Sequence, residues 1–223
     1  MGALVLGLYT EGDTDKRFLQ PVIRRAVTKI LVEHRREDRW DDLLIIPVHP
    51  FVQRHESQER KILAAATSAC GYHMLIVHID ADSPFPTEAR QNRFDPGFKL
   101  VKQAGEKTCQ DLLPILPIQE TEAWLLVDRE MLIKELEINK SANELGIPPA
   151  RHIESIAQPK ERLNDIIKIA NQFRRRPLDI KDLYEPLGEM IRLEKLALLS
   201  AYRQFISDLM STLTELGIIP PIS

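Results

Sequence analysis

Two cysteines in 223 residues, Cys70 and Cys109, are too few for a disulfide framework or a cysteine-built zinc cluster. Both fall in stretches with helical patterning, where they read as small core residues. Long hydrophobic runs are missing as well: no stretch approaches the roughly 18 apolar residues that a membrane span requires. The opening "MGALVLGLYTEGD" has no basic region or cleavage-like segment of a signal peptide. Leu6 stands where a myristoylation motif needs Ser or Thr. Charge of one sign is not in excess either. Thirty basic residues face 33 acidic ones, a net charge of −3, which gives no broad basic field for nucleic acid but leaves room for a local patch. What remains, 43% hydrophobic and 28% charged, is the composition of a soluble, cytoplasmic globular chain with a proper core.

Short apolar runs alternate with helical patterns through the first half. "ALVLGLY" (3–9), "LLIIPV" (43–48), "MLIVHI" (74–79) and "LPILPI" (113–118) have strand length and no polar face. Between them, Phe18, Val22, Ile23, Ala26, Val27 and Ile30 recur at helical spacing, with Pro21 as a candidate kink. Further helices are expected over 57–70, stopped by Gly71, through "FKLVKQAGEKTCQ", and as one piece through "ETEAWLLVDREMLIKEL". Four repeats of strand and helix, with strands buried on both faces, predict an α/β fold: a parallel four-stranded sheet with helices on both faces. Beyond about residue 138 no strand pattern appears. The segments 148–173 and 187–217 read as helices, so a C-terminal helical extension (139–223) follows the sheet unit (1–138).

The acids are not scattered. Glu11 and Asp15 follow the first strand, Asp80 and Asp82 the third, Glu120 and Glu122 the fourth. In an open parallel sheet the functional crevice lies outside the carboxyl ends of the strands, so these acids should meet at one edge. Alternation in extended chain would aim Asp80 and Asp82 the same way. Bunched carboxylates are costly unless protonated or neutralised. Mg²⁺ or Mn²⁺ would neutralise them with hard oxygen ligands, and the chemistry such a centre suggests is phosphodiester hydrolysis or transfer. Asp13 reads as a helix cap or dipole partner only. His78 shares the face of Asp80 and is expected in the core or behind the ligands. Trp124 reads as core, and Arg90 and Arg93, just after the Asp-x-Asp loop, as contacts to a phosphate backbone. His49 and His55, flanking "PFVQR", are weaker candidates for substrate contact.

"EGDTDKRFLQPVI", "IVHIDADSP" and "PIQETEAWLLVD" together resemble three signature blocks of a TOPRIM-like family of unknown function, akin to the TOPRIM nuclease domain of the OLD (overcoming lysogenization defect) class. The resemblance covers roughly the first 130 residues well and the helical part less specifically. It implies a Mg²⁺- or Mn²⁺-dependent endonuclease site with Glu11, Asp15, Asp80 and Asp82 as catalytic metal ligands and Glu122 as a further ligand. It also implies a later lysine that stabilises transition-state charge, best matched by Lys160, with Lys181 as the alternative. OLD proteins carry an ATPase in the same chain, whereas no Gly-x-x-x-x-Gly-Lys-Ser/Thr occurs here. The resemblance therefore implies a nucleic-acid-cutting effector with a separate ABC/SMC-like ATPase partner, as in two-component prokaryotic anti-phage defence, and is compatible with a homo-oligomer. A different class fits the same blocks: a non-catalytic binding or sensor module that recruits a partner protein or nucleic acid.

Overall fold

The structure, a computed structural model, describes residues 2–52 and 55–221. Its centre is a sheet of β1 (Leu4–Tyr9), β2 (Leu43–Pro47), β3 (Met74–His78) and β4 (Leu112–Ile115), ordered β2-β1-β3-β4 and parallel throughout. The apolar runs lack a polar face because both faces of the sheet are covered. Leu4, Leu6, Leu8, Met74 and Ile76 point into a larger core, and Leu75 and Val77 into a smaller one on the opposite face. Gly7 serves the second face: a Cβ there would come within 3.0 Å of Leu75 and 3.1 Å of Val48. Pro114 is tolerated in β4 because that strand lies at the sheet edge.

Helix α1 (Asp15–Glu33) lies on the larger core through Phe18, Leu19, Val22, Ile23, Val27 and Ile30, the spacing of one helical face. It runs unbroken through Pro21. α2 (Gln58–Ser68) covers the other face and ends before Gly71, which takes a positive φ. The next helical stretch begins earlier than the sequence pattern suggests. Pro86 opens α3 (Pro86–Ala89), a π turn spans Arg90–Phe94, and α4 (Asp95–Ala104) stops at Gly105 with positive φ rather than reaching residue 110. Pro96, with no amide proton to give back to the preceding turn, sits where the π turn hands over to α4. Cys109 consequently lies outside the helix, buried in the approach to β4, and Cys70 lies in an exposed turn just after α2, so neither is helical.

"ETEAWLLVDREMLIKEL" also divides, into α5 (Glu122–Leu126) and α6 (Arg129–Leu136). The break is Asp128, which accepts from the Met131 amide and, fully buried, from Arg192 Nε at 2.8 Å and Nη2 at 2.6 Å. Burial pushes the Asp128 carboxyl up, but the Arg192 bonds outweigh it and hold it below the usual range. Trp124 is wholly buried, edge-on to Tyr202. The two long C-terminal helical segments are likewise broken, into α7 (Pro159–Asn171), α8 (Tyr184–Met190), α9 (Leu193–Leu196) and α10 (Ser200–Glu215). These helices share the larger core with the sheet, in one cluster from Leu4 to Ile219. No helix among the described residues is long and apolar enough to cross a membrane.

The seam between α1 and α8 is close. Arg25 donates to the carbonyls of Gly188 (3.1 Å) and Ile191 (2.7 Å), and a Cβ on Gly188 would fall 2.6 Å from the Phe18 carbonyl oxygen. Gly188→Ala is expected to cost about 1–3 kcal/mol in urea denaturation, because the obstacle is backbone. Gly2→Ala, which meets nothing within 4 Å, should leave the midpoint unchanged.

Candidate functional site

The loop after β1 is shaped by Thr10, whose hydroxyl donates to the Gly12 carbonyl at 2.7 Å. Asp15 lies close against Gly12, where a Cβ would sit 2.5 Å from Asp15 Oδ2 and would push that carboxylate aside. Asp15, the first residue of α1, points inward and is only 7% exposed. Asp13 stays outside and pairs with Lys16 at 2.8 Å, which lowers its pKa. Beyond β3, extended pairing continues as Ile79 and Ala81 donate to the Ile115 and Pro117 carbonyls. His78 and Asp80 therefore share a face. Asp82 departs from the expected arrangement: it takes a left-handed φ of 50°, its side chain is 68% exposed, and it turns to Arg93.

Beyond β4, Thr121 ties the strand ends together. Its amide donates to Asp80 Oδ1 at 2.9 Å, its hydroxyl lies 3.2 Å from the same oxygen, and His78 Nε2 lies 2.8 Å from the hydroxyl. Glu122, the first residue of α5, is 3% exposed and accepts from the Tyr184 hydroxyl at 2.7 Å. Lys160, at the start of α7, places Nζ 3.5 Å from Glu122 Oε1, and its amide donates to Glu120 Oε2 at 3.1 Å. Asp15, Asp80, Glu122 and Lys160 thus come to the same edge of the sheet. Lys181 lies elsewhere, beside Asp179.

The two arginines part company. Arg93, on the π turn, donates through Nη2 to Glu11 Oε1 (2.6 Å) and through Nη1 to Asp82 Oδ2 (3.0 Å) and the Asp80 carbonyl (2.6 Å). It is a counter-ion to two acids expected to bind metal, rather than an open phosphate contact. Arg90 turns to α10, pairs with Asp208 at 3.2 Å, and borders a groove of about 420 Å³. Of the flanks of "PFVQR", His49 and His55 are exposed, and Gln53 and Arg54 lie outside the described residues. Sequence reasoning missed Tyr184 and Thr121, and Arg93 as a partner of the acids; only the position of Thr121 between Glu120 and Glu122 was a signal.

Charge is crowded in the buried part. Burial pushes Asp15 up to about 6; His78 and Lys160 pull the other way, while Asp80 and Glu122 add to the rise. Burial also pulls His78 down, but its bond to Asp80 and the charges of Asp80, Asp15 and Glu11 outweigh that and raise it. Asp80 ends below its usual value, because His78 and Thr121 overcome the effect of burial. One donor atom each from Asp15, His78 and Asp80 lie within 4.8 Å of one another, a set of oxygen and imidazole donors that fits a divalent cation.

The raised Asp15 carboxyl makes stability depend on pH. Below an unfolded value near 3.8 both states are protonated; as pH rises through about 6 the fold must hold a buried charge, and stability is lost. In EDTA, Asp15→Asn should therefore gain on the wild type between pH 4 and pH 8 by about 3 kcal/mol in urea denaturation. A gap that does not change with pH would contradict the assignment.

Among known proteins, no curated protein and no solved structure matches this chain. A family model described as "Domain of unknown function (DUF4276)" matches residues 10–202. The match takes in the acids beyond all three strands together with Lys160, Tyr184 and Arg192 from the helical part. The chain belongs to that family, DUF4276.

Proposed function

We propose that the chain is a metal-dependent nuclease that hydrolyses phosphodiester bonds in DNA or RNA. The observation that carries this reading is the meeting of Asp15 and Asp80, from beyond two different strands, with donor atoms within 4.8 Å of each other and of His78. Buried Glu122, from beyond a third strand, acts on Asp15 through its charge and faces Lys160. Asp15 and Asp80, with Glu122 beside them, would hold Mg²⁺ or Mn²⁺. Such an ion, when bound, stabilises charge on a phosphoryl oxygen and eases deprotonation of a bound water. The chain's own groups do the rest. Thr121 fixes the Asp80 carboxylate through its amide and hydroxyl, and Tyr184 fixes Glu122. Lys160, with its side chain 56% exposed, presents an ammonium where a substrate phosphate can reach it. In the hydrolysis, the water oxygen bonds to phosphorus, the phosphorus–oxygen bond to the leaving nucleotide breaks, and the water proton passes to the leaving oxygen. Under this reading the chain is the effector of a two-component defence pair whose ATPase is a separate protein, an assignment that rests on the resemblance to OLD-type nucleases.

One observation favours a second reading, the non-catalytic module. Arg93 already satisfies Glu11 and Asp82, so these two acids need no metal to be neutralised.

Calorimetric titration separates the two. A saturable Mn²⁺ site is expected in the wild type, with affinity reduced about 10- to 100-fold or more in Asp80→Asn. Labelled DNA and RNA oligonucleotides should be cut in Mn²⁺ and spared in EDTA. Lys160→Ala should keep the Mn²⁺ site and lose about 100-fold in cleavage rate. A protein that takes up no divalent ion defeats the nuclease reading; oligonucleotides bound in Mn²⁺ yet left whole favour the module.

A further inference from the structure

We propose that His78 supplies a nitrogen ligand to the same centre, which makes it selective for Mn²⁺ over Mg²⁺. The inference rests on the metal reading above and names a donor that the carboxylate pattern does not contain. His78 is wholly buried, and its Nδ1 has no hydrogen-bond partner among the described residues. A buried polar atom left unpaired costs on the order of 1–3 kcal/mol, so an imidazole nitrogen kept in this position is accounted for by a ligand that it binds.

The surrounding bonds favour a proton on Nε2 and leave Nδ1 as the ring nitrogen that a cation can take in place of a proton. Thr121 can give its hydroxyl proton to Asp80 Oδ1, 3.2 Å away, and the Thr121 oxygen then accepts from His78 Nε2 at 2.8 Å. Asp80 Oδ1 itself lies 3.2 Å from Nε2 as a second acceptor. With the proton on Nε2, Nδ1 of the neutral ring is a bare lone pair. A ligating histidine usually has this arrangement, its other N–H given to a hydroxyl or carboxylate that fixes the tautomer and the ring plane.

Nδ1 also faces the correct group. It lies 4.0 Å from Asp15 Oδ2, too far for a hydrogen bond. Two donors that share one cation at about 2.1 Å each lie roughly 3–4 Å apart. The chain itself places the ring there. His78 and Asp80 are two residues apart in extended backbone and so face the same side, while the closed Gly12 loop brings Asp15 to meet them. Imidazole suits transition metals, whereas Mg²⁺ keeps to oxygen and water. One nitrogen among carboxylates therefore tilts the site toward Mn²⁺.

Two measurements on the full chain test this. Calorimetry with Mn²⁺ and with Mg²⁺ should show Mn²⁺ bound more tightly, and His78→Asn should lower Mn²⁺ affinity at least about tenfold while changing Mg²⁺ affinity much less, since even loss of an outer-shell partner costs that much. Pulsed electron paramagnetic resonance of Mn²⁺ bound to the wild type should show a directly bound nitrogen whose coupling changes when the protein is grown with ¹⁵N-histidine. This second measurement needs no variant, so a misfolded His78→Asn protein leaves the test intact. Mn²⁺ bound without histidine nitrogen coupling overturns the ligation by His78 and leaves the metal centre standing. No Mn²⁺ bound at all overturns the metal reading and this inference together.

Discussion

The Glu122 carboxylate is the contact on which the rest of the site depends. It is buried at the start of α5, directly beyond the last strand, and accepts from Tyr184 of α8 while facing Lys160 of α7. A buried carboxylate with no partner would cost several kcal/mol. The C-terminal helices are therefore more than an appendage resting on a finished sheet: without them Glu122 has neither its hydrogen bond nor its nearby cation. The Asp128–Arg192 pair repeats the arrangement one helix further on, where an acid from the sheet unit is again satisfied by a base from the helical part. The shared apolar cluster follows the same seam.

Parallel pairing supplies the other half of the constraint. With every strand running the same way, every strand exit falls on one edge, and residues that must be polar there are forced into one another's company. The chain handles this in two ways. On the outer side, the Arg93 guanidinium spans Glu11 and Asp82, and the π turn that carries it sets its reach. On the inner side, Asp80 and Glu122 are held by the neutral donors Thr121 and Tyr184, and among the described residues it is the His78 ring and Lys160 that offset the charge at Asp15. The acids, expected from sequence to meet as one group at one edge, are thus divided into a neutralised set and a crowded one.

The four strands, their parallel order and the edge where the acids gather were legible because they depend on local facts: runs with no polar face, and acids placed directly after them. Glu11, Asp15, Asp80 and Glu122 are visible in this way. The divided C-terminal helices were not, because apolar periodicity continues through a break such as Asp128, where a local cap on the Met131 amide is joined by bonds from Arg192, 64 residues on. Arg93 was legible as a basic residue near the loop but not as the partner of Glu11, 82 residues away. Tyr184 offered no signal at all, being one apolar-patterned position among many until Glu122 is placed beneath it. The expected alliance of Asp80 with Asp82 failed for a backbone reason: Asp82 enters the left-handed region, so alternation pairs Asp80 with His78 instead.

That pairing gives the inner set a common explanation. Carboxylate oxygens within 4.8 Å of each other repel by on the order of 3 kcal/mol at an effective dielectric of about 20. Burial is the main reason the Asp15 carboxyl is raised, with Asp80 and Glu122 adding to it, whereas His78, pulled down by burial, is raised on balance by its bond to Asp80 and the nearby acids. A proton is the smallest cation that can relieve the repulsion and a divalent ion the more effective one, and both would compete for the same atoms. The Thr121 hydroxyl does not enter that competition, because it accepts a hydrogen bond from Nε2 and leaves Nδ1 facing Asp15. An enclosed polar cluster kept only for packing would gain by pairing its last nitrogen; this one leaves Nδ1 without a hydrogen bond among the described residues, 4.0 Å from Asp15 Oδ2, at the edge of the sheet where Lys160 meets the solvent.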